Sequence, residues 1–103
     1  MLQTMCGAYG TLEQVSQHQR EMVSSFRGDI EAKLQERMNI LLPDMSRVTF
    51  VGSKTQVVAG TNHQLHLEIH DTPVIVVIFE KLPCYVKDGI EPFELKSIEP
   101  QWK

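Results

Sequence analysis

The sequence predicts an α+β domain, with one long N-terminal helix wrapped by a four- to five-stranded antiparallel sheet. Three observations lead there. Val15, Met22, Phe26, Ile30, Leu34 and Met38 recur at helical spacing, with charged and amide side chains taking much of the rest. Later the period changes: Leu65, Leu67 and Ile69 alternate with Gln64, His66, Glu68 and His70, as in a strand with one face buried. The elements also come as one helix and then about four strands, whose economical packing is a meander curled around the helix.

The 103 residues suffice for one domain, 1–103, built on a single core. Residues 1–10 hold two glycines and no hydrophobic period, so they read as a flexible trunk. Thr11-Leu12-Glu13-Gln14 fits a capping box, with Thr11 as N-cap and Gln14 reaching back from the third helical position. The helix is therefore expected over 11–39, and Pro43 opposes a restart. Gly28 in its middle costs about 1 kcal/mol against alanine and marks a bend or a close approach to the sheet.

The sheet is expected over 45–100. Val48 and Phe50 open it, and Gly52 suggests a bulge. A turn at Asp71-Thr72-Pro73 leads into the apolar run Val74 to Phe79. There Val74, Val76 and Ile78 are expected to face the helix, leaving Ile75 and Val77 on the outer face. Lys87-Asp88-Gly89 reverses the chain once more before Phe93 to Ile98.

The most informative stretch is Gln56-Val57-Val58-Ala59-Gly60. It reads as a hairpin tip, with Gly60 able to take the positive φ of a tight reversal and Asn62 a further turn-tolerant residue. Hairpin tips are usually polar; Val57 and Val58 at a reversal suggest a surface built to enter something else.

Those five residues match the Gln-x-Val-x-Gly motif of the cystatins, inhibitors of papain-like cysteine proteases. The chain resembles the intracellular stefin branch in particular. The match continues into Thr61-Asn62, Met5-Cys6-Gly7-Ala8 resembles a stefin start, and Leu82-Pro83 falls where stefins carry a second inhibitory hairpin. The resemblance runs from about Met5 to Pro83. It implies a cystatin-like fold and reversible, tight-binding competitive inhibition of papain-like proteases of the cathepsin type. It also implies a wedge of three edges. Gln56, Val57, Val58, Ala59 and Gly60 are central, Leu82 and Pro83 form a second apolar edge, and Met5, Cys6 and Gly7 supply the third. Gly10 competes with Gly7 as the trunk glycine. The stretch Val51–Thr55 is longer than stefins usually carry before the hairpin, which would lengthen or re-aim it.

Composition excludes other classes. A net charge of −3 with no Lys/Arg cluster gives no case for nucleic acid. The run Val74–Phe79 is far too short to span a bilayer, and the first ten residues show no secretory pattern. Two cysteines, Cys6 and Cys84, are too few for a disulfide framework and suit a reducing, cytoplasmic setting. No enzyme constellation is expected: neither cysteine has a histidine nearby in sequence. His66, Glu68 and His70 share one strand face, but they lack a fourth ligand and read as a solvated face, so neither metal nor cofactor is expected. The competing classes are a cystatin-fold binding module without protease inhibition and a self-associating protein. A homodimer swapped through the first hairpin is a further expectation, because two valines suit a straight strand better than a reversal.

Overall fold

A computed structural model describes residues 9–38, 48–69, 71–83 and 91–101. Two consecutive helices, α1 (Gln17–Ser25) and α2 (Arg27–Met38), precede four strands: β1 (Thr49–Val58), β2 (Gly60–Ile69), β3 (Thr72–Lys81) and β4 (Phe93–Pro100). The strands form an antiparallel meander in the order β1-β2-β3-β4. The predicted α+β architecture therefore stands.

The helix differs from the prediction at its start and its middle. It begins at Gln17, not at residue 11. Ser16 is the N-cap: its hydroxyl accepts from Gln19 N–H, and the Gln19 side chain accepts from Ser16 N–H, a complete capping box. The earlier candidate, Thr11 with Gln14, loses because the chain there is needed against β1. Gly10 N–H donates to Thr55 O at 3.0 Å, and Glu13 and Ser53 exchange two backbone hydrogen bonds of 2.8 Å. A helix starting at residue 11 would break these bonds.

The single long helix is interrupted at Phe26. Ser25 Oγ donates to the Met22 carbonyl at 2.7 Å, and Phe26 N–H is shared between the Met22 and Val23 carbonyls. A serine hydroxyl bonding back to a carbonyl of its own turn slightly destabilises a helix and favours a bend there. Gly28 is not a close approach, since a Cβ there would meet nothing within 4 Å. The interruption lies two residues before it. The expected helix end at Asn39 falls outside the described residues.

Both helices lay one face on the sheet. Met22, Val23, Ile30 and Leu34 pack with Leu65, Leu67 and Ile69 of β2, Val74, Val76 and Ile78 of β3, and Ile98 of β4. Full burial of each such side chain contributes on the order of 1.5–3 kcal/mol, and together they hold the helix on the sheet. Ile75 and Val77 take the outer face, as predicted, and are half-buried there. The β2–β3 reversal sits at Asp71, with φ 60, and Thr72 and Pro73 already pair with Ile69 and Glu68. The bulge expected at Gly52 is present: the β1–β2 register slips between Phe50 and Gly52, leaving Val51 unpaired and exposed. The reversal expected at Lys87-Asp88-Gly89 lies outside the described residues. No described helix is long and apolar enough to cross a membrane.

Candidate functional site

The end of the sheet formed by the β1–β2 hairpin gathers those residues singled out by sequence that lie among the described ones. The ladder pairs Gln56 with Asn62, Val57 with Thr61 and Val58 with Gly60, so Ala59 alone forms the tip. Gly60 makes this possible. Its φ is +135, and a Cβ would stand 2.5 Å from the Glu80 carbonyl and 2.6 Å from the Phe79 ring. Side chains of other residues rarely adopt that backbone, and here there is no room for one. Asn62 Nδ2 donates to Gln56 Oε1 at 2.8 Å and clamps the base of the tip.

The adjacent strand brings the second edge. Gly60 pairs with Lys81 across β2 and β3, so Leu82 and Pro83 leave the sheet directly beside the tip. Lys81 N–H donates to Pro92 O at 2.8 Å and Lys81 Nζ to Glu91 O at 2.9 Å, closing the exit from β3 against the entry to β4. Val57 is 62% exposed, Val58 40% and Leu82 38%, and Ala59 and Pro83 are also exposed. None of these residues is charged. Of the third edge, Gly10 is held beside Thr55, and from Glu13 to Gly10 the chain runs antiparallel to β1 toward the tip end. Met5, Cys6 and Gly7, with Cys84, lie outside the described residues.

The stretch Val51–Thr55, longer than expected for a stefin, has a specific job in this fold. Gly52 absorbs the bulge and lets Leu12 and Glu13 close on β1, since a Cβ there would stand 2.8 Å from Leu12 Cγ. Ser53 and Thr55 then receive the N-terminal segment.

Beneath the tips, on the helix side, lies a polar cluster not expected from sequence. Ser53 Oγ donates to Gln19 Oε1 at 2.9 Å, and Gln19 Nε2 lies 3.1 Å from His63 Nδ1. His63 Nε2 meets Glu80 Oε1 at 2.9 Å, and His18 Nε2 meets Glu80 Oε2 at 3.1 Å. Burial pushes the Glu80 carboxyl up, but hydrogen bonds from His63 and His18, with their charge when protonated, outweigh it and hold the group below its ordinary value. A signal for this cluster was present. His63 has the parity of Leu65, Leu67 and Ile69, and Glu80 that of Val74, Val76 and Ile78. A polar residue on each apolar face, in neighbouring strands, marks a meeting point.

On the outer face His66 Nε2 contacts Gln64 Oε1 at 2.9 Å. Burial first and the Lys54 charge second lower the His66 pKa. His70, on the same strand face in sequence, lies outside the described residues. Among the described residues no three His, Cys, Asp or Glu side chains are placed to hold a metal. A cleft of about 600 Å³ opens between α1 and the start of β4, lined by Met22, Phe26 and Phe93 among others. Val57, Val58, Leu82 and Pro83 do not line it.

No family model and no curated protein matches the chain. Among solved structures it is similar to a secreted type 1 cystatin from Fasciola hepatica. The two share a TM-score of 0.63 and 23% identity, over 92% of this chain and 96% of that one. The fold is cystatin-like. Within a cystatin fold, the Gln56–Gly60 tip and Leu82-Pro83 occupy one end of the sheet, side by side.

Proposed function

We propose that this chain is a reversible, tight-binding competitive inhibitor of papain-like cysteine proteases of the cathepsin type. The observation that carries the reading is the pairing of Gly60 with Lys81, which sets Val57 and Val58 beside Leu82 and Pro83 as two uncharged, exposed edges. A papain-like protease holds its catalytic cysteine and histidine at the bottom of a V-shaped cleft. Two hairpin edges fixed by a ladder enter such a cleft with little ordering entropy lost. The tip's backbone is tied into β1 and β2, so it blocks the cleft without lying extended across it as a substrate would. Met5, Cys6 and Gly7 supply the third edge in this reading, entering beside β1. The wedge buries on the order of 800 Å² per partner, which suits nanomolar binding when the apolar tips are well seated.

The stefin-like branch and a cytoplasmic site of action belong to the same proposal. They are supported by the motif order along the chain and by a count of only two cysteines. The test is direct. Titrating papain with the folded protein should abolish activity at about one inhibitor per enzyme, reversibly and with the inhibitor uncut. Full papain activity in excess protein would leave the binding-module or self-associating reading instead.

A further inference from the structure

Three polar side chains are buried among the described residues: Gln19, Ser53 and His63, at 5%, 4% and 6% exposure. All three belong to one chain of hydrogen bonds, and its geometry fixes where each proton sits. Gln19 Oε1 is approached by two donors, Ser16 N–H at 3.0 Å and Ser53 Oγ at 2.9 Å. A serine hydroxyl can turn around; a backbone N–H can only donate. Flipping the Gln19 amide would therefore set its NH₂ against Ser16 N–H. The amide has one orientation, and its Nε2 donates to His63 Nδ1. His63 Nδ1 must then offer a lone pair, so its proton sits on Nε2 and points at Glu80 Oε1, 2.9 Å away. His18 reaches the same carboxylate from α1.

The chain of bonds joins the helix start, β1, β2 and β3, just below the wedge. His63 lies three residues from Gly60. Glu80 pairs with Thr61 on one side and Phe93 on the other, two residues before Leu82. We propose that Gln19 is a positioning residue for the wedge: by holding His63 in the Nε2–H tautomer it locks Glu80, and so keeps the Val57–Gly60 edge aligned with the Leu82–Pro83 edge. Gln19 is buried and does not itself reach the tips. Its effect is preorganisation, which appears in how long a complex lasts. This inference rests on the inhibitory reading for its consequence, though not for its geometry.

The experiment compares the wild type with Gln19→Met and Gln19→Glu. Nitrogen-15 shifts of the His63 ring report the tautomer, and amide exchange along Gly60–His63 and Ile78–Lys81 reports local order. Dissociation from papain reports function. The neutral His63 ring of the wild type should carry its proton on Nε2 alone. Gln19→Met, similar in length and without the amide, should lose that tautomer preference. It should exchange faster near the tips but not at Leu67 or Val74, and leave papain about tenfold faster. Gln19→Glu keeps the acceptor for Ser16 and Ser53 but turns a second acceptor toward Nδ1. His63 should then find an acceptor at each ring nitrogen and keep its Nε2 proton toward Glu80, with the tips still ordered, and this variant keeps the test alive if Gln19→Met does not fold. An Nδ1–H tautomer in the wild type, or exchange that quickens evenly through the sheet, would overturn the positioning role. So would tip exchange in Gln19→Met equal to wild type. A wild type that fails to inhibit papain defeats the functional proposal, while the tautomer and exchange arms still decide this one.

Discussion

Leu12 lies against the bare backbone of Gly52: a Cβ there would stand 2.8 Å from Leu12 Cγ and 3.0 Å from the Glu13 carbonyl. The contact seats the N-terminal segment on β1, and it exists because residue 52 has no side chain. Gly52→Ala should push the segment outward and cost about 1–3 kcal/mol, as overpacking does. Urea unfolding measures it. A midpoint equal to wild type would mean that Leu12 yields freely.

The tips should separate binding from folding. Val57→Asp or Val58→Asp puts a charge on a side chain that is exposed in the free protein and desolvated in the proposed complex. Affinity for papain should fall by about 2–4 kcal/mol while the thermal midpoint hardly moves. Undiminished inhibition by both variants would remove the tip from the interface.

Glu80 should give the protein an acid-sensitive share of its stability. Its carboxyl is held below the ordinary value in the fold, mainly by His63 and His18 against the opposing effect of burial. The unfolded chain therefore takes up this proton first as pH falls. The stabilisation is complete above the unfolded carboxyl's pKa and is lost as pH drops through the folded one. Thermal midpoints followed through the acid range should fall more steeply for wild type than for Glu80→Gln. Parallel curves would show that the carboxylate contributes nothing.

Mild heating should produce a swapped dimer. The reversal turns on a single residue, Ala59, between two valines and a glycine at φ +135. Straightening Val57–Gly60 into one continuous strand suits the two valines and lets β1 of one molecule pair with β2 of another. The dimer separated by size should not inhibit papain, since its tip is gone. A dimer as inhibitory per chain as the monomer, under reductant, would refute a swap at this hairpin.

How far the sequence could be read follows the range of the forces involved. β2 and β3 were legible because alternation and an apolar run are local patterns, and their register then follows from a short turn. The tip was legible from Val57-Val58-Ala59-Gly60 itself. The helix start was not. Thr11-x-x-Gln14 and Ser16-x-x-Gln19 satisfy the same local rule, and the choice between them is made by Ser53 and Thr55, about forty residues on. Nothing local marks Gln19 among the polar helix residues, because its burial goes with its contact to His63, 44 residues on. Gly28 drew attention as the helix's weak point, while the interruption falls at Phe26, beside the Ser25 hydroxyl.

The pairing of Gly10 and Glu13 with Thr55 and Ser53 also has a colloidal side. It occupies the outer rim of β1, whose backbone groups would otherwise stand ready to accept a strand from any neighbouring molecule. A protease clip that released the first thirteen residues would leave the core intact and uncap that rim. The clipped protein should then begin to stack edge to edge, losing its solubility well before its fold.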